Sequence, residues 1–509
     1  MANLLKSKDA KLKGLRRNAM AASYRKGIFI MKKSLILVLT LIVCVNFFSV
    51  PAYAATAHRK SHTRIVKAPA PTVTPTPAET PAPTVTPTPT VTPTPTETPA
   101  PTVTPAPAET PVQSNEFGFD VTELGAKGDD NVNDTEAIQN ALNQYDKVYI
   151  PAGTYMINVE KSLVLKSNQA LTLDKLAVLK ALPTTKGNSS VLKIENVSGV
   201  NVSGGQIVGE RYSHQGSTGE WGMGISIESG ANDVNISNIT ISDCWGDGIY
   251  LGGTTTVNRI TLDGVTSTNN RRQGLSITNA TNVVVSNCVF KNTNGVAPEA
   301  GIDIEPNPGE IAQDITIINT MCYGNAGSGI NLMGENETIK RVAVKGCTIR
   351  DNSSIGITIV NAADSTFSST TVTNNYFGIE IPRDTANLKF TDMKINNNKR
   401  RGVSIVTTTQ ARGVENIAFE NCVISNNSQT TAGDVDGIRI DNYDLSAPIN
   451  NITFNACQFI DNQTIKTQRY GMTVGYNQKT SNIIVNANNV FSGNIAGGLL
   501  GSSTAIIRG

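Results

Sequence analysis

The chain has 509 residues, of which 39% are hydrophobic and only 5% aromatic, a composition that argues against one large conventional core and for many small layers of β-branched side chains. Its formal charge of +2 hides an asymmetry, because residues 1–54 hold ten Lys or Arg and one acid, leaving 33 basic against 40 acidic residues in the remainder. A body with that balance gives no footing for a nucleic-acid partner.

The basic N-terminus reads as targeting. From Met31, MKKSLILVLTLIVCVNFFSVPAYA joins a Lys32-Lys33 head, an apolar run from Leu35 to Val50 and an Ala52-Tyr53-Ala54 cleavage pattern, which together make a secretory signal peptide over 31–54. Residues 1–30 scatter Lys and Arg without an apolar face and form an upstream extension, with translation expected to start at Met31. A membrane anchor is the alternative, but the run is short for a span and ends in small residues. The expected mature chain is secreted, extracellular or associated with the cell surface or wall.

A short basic segment, 55–66, carries His58 and His62, which read as surface residues rather than metal ligands. Residues 67–113 then repeat PTVTPTP and PAETP. Proline fixes φ and removes amide donors, so this linker is expected to be extended, at ~3.1 Å per residue reaching on the order of 150 Å.

The folded domain is expected over 115–509. DVTELGAKGDDNVNDTEAIQNALNQYDKVYIPAGTYMI reads as a strand, a turn, a helix started by Asp134 or Thr135, and two further strands. Ile138, Ala141 and Leu142 give that helix one apolar face, suited to covering the end of a sheet-based core. GAKGDD lacks the GxxxxGK spacing of a phosphate loop.

From Gly224 the chain repeats GISI, GIYL, GLSI, GIDI, GINL, GITI, GIEI, GVSI, GIRI and GMTV, with companions such as VNISNITIS and NIAFENCVI. Each period supplies two or three short strands divided by Asn/Gly turns, and no helix fits inside it. The fold class is therefore all-β: a parallel β-helix of about eleven to thirteen coils with a short N-terminal capping helix. In each unit the two aliphatic residues face inward and the residue between them is expected to face water. Cys244, Cys288, Cys322, Cys347, Cys422 and Cys457 follow the coil's spacing and are expected to be reduced and buried.

The stretch from DVTELGAKGDD to VYIPAGTY resembles the N-terminal cap of the pectate-lyase-like superfamily of right-handed β-helices, and the rungs over about 117–500 resemble the same group. That group contains polygalacturonase-like hydrolases, pectate lyases, tailspike depolymerases and polymannuronate epimerases. The resemblance implies right-handedness and a carbohydrate ligand, but not a reaction. Asp247 in WGDGIYL stands where the polygalacturonase pattern has its first aspartate. The next rung reads RRQGLSI, a GHG motif is absent, Ile438-Arg439-Ile440 matches RIK only in part, and GIDIEPN lacks the histidine of the epimerase DPHE pattern.

Function is therefore sought in the outward column: Ser226, Tyr250, Ser276, Asp303, Asn331, Thr358, Glu380, Ser404, Arg439 and Thr473. The unusual chemistry concentrates in the first four rungs, and the later ones read as bland. With rungs ~4.8 Å apart and alternate residues ~6.6 Å apart, Asp303 and Glu305 stand about 6.6 Å from each other and Asp247 lies roughly 10 Å from Asp303. Such spacing suits an acid and base pair, and mutual repulsion would split their pKa values. Asp247, Asp303 and Glu305 are the candidate catalytic residues. His214, Glu220, Trp221, Trp245, Tyr250, Arg271 and Arg272 are the candidate substrate contacts: the arginines for an acidic group, the aromatics as sugar platforms. Ordinary solvated strand residues and turn or ion-pair partners are the competing readings.

The leading expectation is a glycoside hydrolase acting on an acidic polysaccharide, monomeric and needing no cofactor. A lyase or uronan epimerase, with calcium as the cofactor of a lyase and Arg271 or Arg272 as its base, is the first alternative. A non-catalytic glycan-binding or cell-surface scaffold protein is the second.

Overall fold

The computed structural model describes residues 116–509 apart from 337, 409–411, 444–446, 476–478 and 502–504. The expected signal peptide, the basic segment with His58 and His62, and the proline-rich linker lie outside the described residues.

The repeated G-aliphatic-x-aliphatic units become strands that lie side by side. Ile249–Gly252, Leu275–Ile277, Ile302–Ile304 and Ile330–Met333 are consecutive parallel neighbours, with Ile249 opposite Leu275, Leu275 opposite Ile302, and Ile302 opposite Ile330. Among the described residues this sheet has 13 strands, a second has 13 and a third 15. The chain visits each sheet once per turn, so past the opening pair Phe119–Asp120 and Lys147–Ile150 neighbours within a sheet are three strands apart in sequence. The product is a right-handed parallel β-helix of about thirteen coils, at the upper end of the expected range.

The recurrent glycine has a steric cause. A Cβ at Gly274 would come within 2.5 Å of the Gly301 carbonyl oxygen, and one at Gly301 within 2.7 Å of that of Gly329. The corner where the chain enters this sheet has no room for a side chain. Past it, Ile249, Leu275, Ile302, Ile330, Ile357 and Ile379 stack inside the coil, each fully buried.

Two further ladders hold the coils in register. Phe367, Phe390, Phe419 and Phe454 stack face to face at centroid distances of 4.8, 4.6 and 4.9 Å. Buried Asn325, Asn352, Asn375, Asn398 and Asn427 form a continuous amide chain, each Nδ2 donating to the next Oδ1 at 2.9 to 3.3 Å. Just before three of these positions, Asn374, Asn397 and Asn426 take φ of 54° to 58°, as do Asn269 and Asn292 at the same corner of earlier coils, the left-handed geometry that asparagine tolerates.

The capping helix spans Thr135–Gln144 and buries Ile138, Ala141 and Leu142. Its N-cap Asp134 spends its carboxylate elsewhere, accepting from the Lys127 and Met156 amides at 2.7 and 3.0 Å and so tying the cap to the first coil. All six cysteines of the coil are unpaired and buried.

Candidate functional site

The outward column is in register along the whole sheet: Ser226, Tyr250, Ser276, Asp303, Asn331, Thr358, Glu380, Ser404, Arg439 and Thr473 pair one after another. Spacing predicted this order. It did not predict exposure. Asp303, expected in water, is 0% exposed. Its rung neighbours wall it in: Gln273 Nε2 donates to Asp303 Oδ2 at 2.7 Å from one side, and Asn331 bonds to it from the other. Gln273 is itself fixed, its Oε1 accepting from the Ala300 amide at 2.9 Å. Asp303 Oδ1 is buried with no partner.

Asp247 is also fully buried, and Arg272 Nη1 lies 3.1 Å from its Oδ2. Arg272 Nε stands 3.9 Å from Glu220 Oε2, and the fields of Asp303 and Glu305 reach the same guanidinium. One arginine is thus set among four carboxylates drawn from separate coils and the 209–220 loop. Burial pushes the Asp247 carboxyl up to about 7, against the pull of Arg272. Burial and then the nearby Glu305 hold Asp303 well above the usual carboxylate range, with Arg272 opposing. For Arg272, burial favours the neutral form, but the carboxylates outweigh it and the net direction is up. A guanidinium held in its charged state is a poor proton acceptor, which weighs against Arg272 as a lyase base. Glu305 is exposed at the edge of the cluster.

The remaining predicted contacts form a staple beside it. His214 Nδ1 lies 2.8 Å from Glu210 Oε2, both side chains buried, and the imidazole stacks on Trp245 at 3.8 Å. The Arg271 guanidinium packs 3.7 Å from the Trp245 ring centroid and donates to the Gly219 and Trp245 carbonyls, each at 3.1 Å. Burial raises the Glu210 carboxyl, with His214 and Arg271 pulling it back. Arg211 pins the same loop across three coils, reaching the Asn269 carbonyl at 2.6 Å and the Asn294 carbonyl at 2.7 Å. His214, Trp245 and Arg271, expected to face a substrate, therefore hold the 209–220 loop in place. Tyr250 is likewise no open platform: its hydroxyl meets Thr278 Oγ1 at 3.0 Å and accepts from the Gly253 amide at 3.2 Å. Trp221, 41% exposed, remains accessible as an aromatic surface.

Sequence reasoning missed Gln273 and Glu210. Gln273 was traceable, since it shares with Asp247 the place before the glycine. The later rungs are not bland either, because Glu380, Arg401, Asp436 and Arg439 gather on the same face. Among the described residues no group of three or more His, Cys, Asp or Glu is arranged to hold a metal. In the early cluster the positive charge among the carboxylates is that of Arg272.

The comparisons with known proteins agree with this architecture. Residues 185–312 and 310–432 match the family model described as right handed beta helix region, and residues 118–193 match rhamnogalacturonase A/epimerase, pectate lyase-like. YclG of Bacillus subtilis is 29% identical over 253 residues, covering 42% of this chain and 43% of that one. The preneck appendage protein of Bacillus phage PZA is 26% identical over 260 residues, 45% of this chain and 29% of that one. The chain thus spans less than half the length of these curated relatives. Among solved structures, the A-module of the mannuronan C-5 epimerase AlgE4 from Azotobacter vinelandii superposes with TM-score 0.53 at 16% identity, covering 77% of this chain and 99% of the other. The N-terminal fragment of bacteriophage phi29 gene product 12 superposes with TM-score 0.55 at 17% identity, covering 77% and 72%. At such identities the likeness is one of fold.

Proposed function

We propose, for a chain that is a pectate-lyase-like right-handed parallel β-helix, that it acts on an acidic polysaccharide laid along the outer face of the Asp303 sheet and cleaves it by hydrolysis. One observation carries the reading: a single guanidinium stands among four carboxylates, two of them fully buried with raised pKa. Environment divides the labour there, burial and the nearby Glu305 favouring the protonated form of Asp303 while Glu305 meets solvent. The carboxylate of an acidic sugar competes for Arg272 and draws it outward, uncovering Asp303. Asp303 then gives its proton to the glycosidic oxygen as the bond to the anomeric carbon breaks. Glu305 takes a proton from the water whose oxygen forms the new bond to that carbon. Trp221, exposed beside Glu220, offers a stacking surface for a sugar ring.

The test is a panel of polygalacturonate, alginate, xylan and bacterial exopolysaccharides, followed for reducing ends and for the ultraviolet absorbance of unsaturated products. Reducing ends without that absorbance support hydrolysis, and growth of the absorbance supports elimination. Asp303→Asn is expected to lower turnover by ~100-fold or more with the fold intact. Undiminished turnover in that variant sinks the assignment.

A non-catalytic glycan-binding role is the second reading. It is favoured by the complete covering of Asp247 and Asp303 and by the likeness to phage appendage proteins. Binding without turnover by the parent chain would select it. The proposed place of action is outside the cell, on the strength of the Met31 to Ala54 pattern. Sequencing the N-terminus of exported material tests that placement.

A further inference from the structure

A second charged cluster lies on the same outward face, and one of its cations stands outside its ion pairs. Glu380, Ser404, Arg439 and Thr473 follow one another in register on four successive rungs. Most ions here are paired: Arg469 clasps Asp436 through Nε and Nη2 at 2.8 and 2.9 Å, Arg439 Nη2 meets Asp441 Oδ2 at 2.5 Å, and Arg400 pairs with Asp434. Arg401 is the exception. Among the described residues no carboxylate lies within ion-pair distance of its guanidinium, and its Nε is buried with no partner. Asp436 and, on the preceding rung, Glu380 act on Arg401 only through their fields, from beyond ion-pair distance, and burial pushes the Glu380 carboxyl up to about 7. Arg401 is pressed toward its neutral form by burial and by Arg439 beside it.

Two more buried polar atoms in the same place have no partner: Arg439 Nε and Thr473 Oγ1. Three such atoms on three successive rungs of one face are a site lacking its acceptor, because buried donors are otherwise nearly always satisfied. An anionic acceptor would give Arg401 the ion pair it lacks. A carboxylate fits best, since its two oxygens match the planar fork of a guanidinium. Tyr443, 63% exposed, has its hydroxyl 3.3 Å from Arg439 Nη2 and presents an aromatic face at the edge of the same patch.

We propose that Arg401 and Arg439, with Thr473, form an anion subsite that takes the carboxylate of an acidic sugar unit. Counted along the register, Glu380 is three rungs from Asp303, or ~14 Å, and Arg439 is five, or ~24 Å. Between the two clusters the floor is the neutral polar pair Asn331 and Thr358. One extended polyanion would therefore span both, anchored here and processed at Asp303. The inference rests on the reading of this face as a polysaccharide track, though not on any turnover there.

The experiment measures binding by the full chain to polygalacturonate, alginate and fully methyl-esterified pectin, with Arg401→Gln and Arg401→Lys alongside. The expected result is that the parent prefers the charged polymers, Arg401→Gln weakens that binding about tenfold or more, and Arg401→Lys recovers part of it. Binding of the esterified polymer should not change, nor should the melting temperature. Arg401→Gln binding the charged polymers as tightly as the parent, or a parent with no preference for them, overturns the subsite. The Asp303→Asn variant separates the two claims. Tight binding without turnover leaves both standing, whereas parental turnover in Asp303→Asn with weakened binding in Arg401→Gln removes the catalytic reading alone.

Discussion

Replacing Arg272 by Met should make the stability of this protein fall with pH where the parent's has stopped falling. In the parent, burial raises the Asp247 carboxyl from 3.8 to about 7, so the native state holds a proton that the unfolded chain has released. A raised carboxyl contributes stability that is fully present below the unfolded value and is lost as pH rises through the folded one. The loss runs at about 1.4 kcal/mol per pH unit, totals about 4 kcal/mol between those two values, and ends near pH 7, where Asp247 ionises beside Arg272. Met keeps the bulk of the arginine stem but removes the cation 3.1 Å from Asp247. Asp247 then cannot ionise near 7, and the slope continues. Between about pH 7 and 9 the variant should lose about 3 kcal/mol more than the parent, with Asp303 adding in the same direction. Near pH 5 Asp247 is protonated in both proteins, and the gap should shrink to about 1 kcal/mol from lost packing. Urea unfolding followed by tryptophan fluorescence measures this, since Trp245 is chain neighbour to the cluster and stacks on His214. Parallel stability curves for parent and variant above pH 7 would refute the claim that Arg272 sustains the buried charge.

Three other outcomes follow from the coil. Asn398→Ala removes the acceptor of the Asn375 amide and of Asn375 Nδ2, so it should cost about 2–4 kcal/mol in denaturant unfolding while leaving neighbouring surface substitutions near zero. Phe390→Ala opens a void between Phe367 and Phe419, fully buried on both sides, and should cost about 3–5 kcal/mol by the same measurement. The six cysteines of the coil should stay silent to a thiol reagent in the native protein and react on unfolding, because burial holds thiols such as Cys244 and Cys322 far above their usual range. Rapid labelling of the folded chain would contradict their burial.

Architecture was legible in the sequence because a β-helix is nearly one-dimensional: each rung touches only its neighbours, so a local pattern repeated at a steady period is already the fold. Gly274 and Gly301 marked the corner because no Cβ fits there, and Ile249, Leu275 and Ile302 marked the interior because only one face of a short strand can be dry. The order of the outward column followed from the same counting. What counting could not give is cover. Whether Asp303 meets water depends on Gln273 and Asn331 from the adjacent coils, Gln273 lying 30 positions away in sequence. His214, Trp245 and Arg271 looked like ligands for a substrate until the 209–220 loop brought Glu210 to one and carbonyls to another. The cluster at Glu380, Arg401 and Arg439 lies in the same two columns as Asp303 and Asp247 and was passed over with the later rungs, because which of its charges are paired and which are buried is set by the folded coil. Sequence periodicity fixes neighbours along the axis, while loops, side-chain reach and desolvation decide which charges are buried, and the pKa values that any chemistry here would use come from that burial.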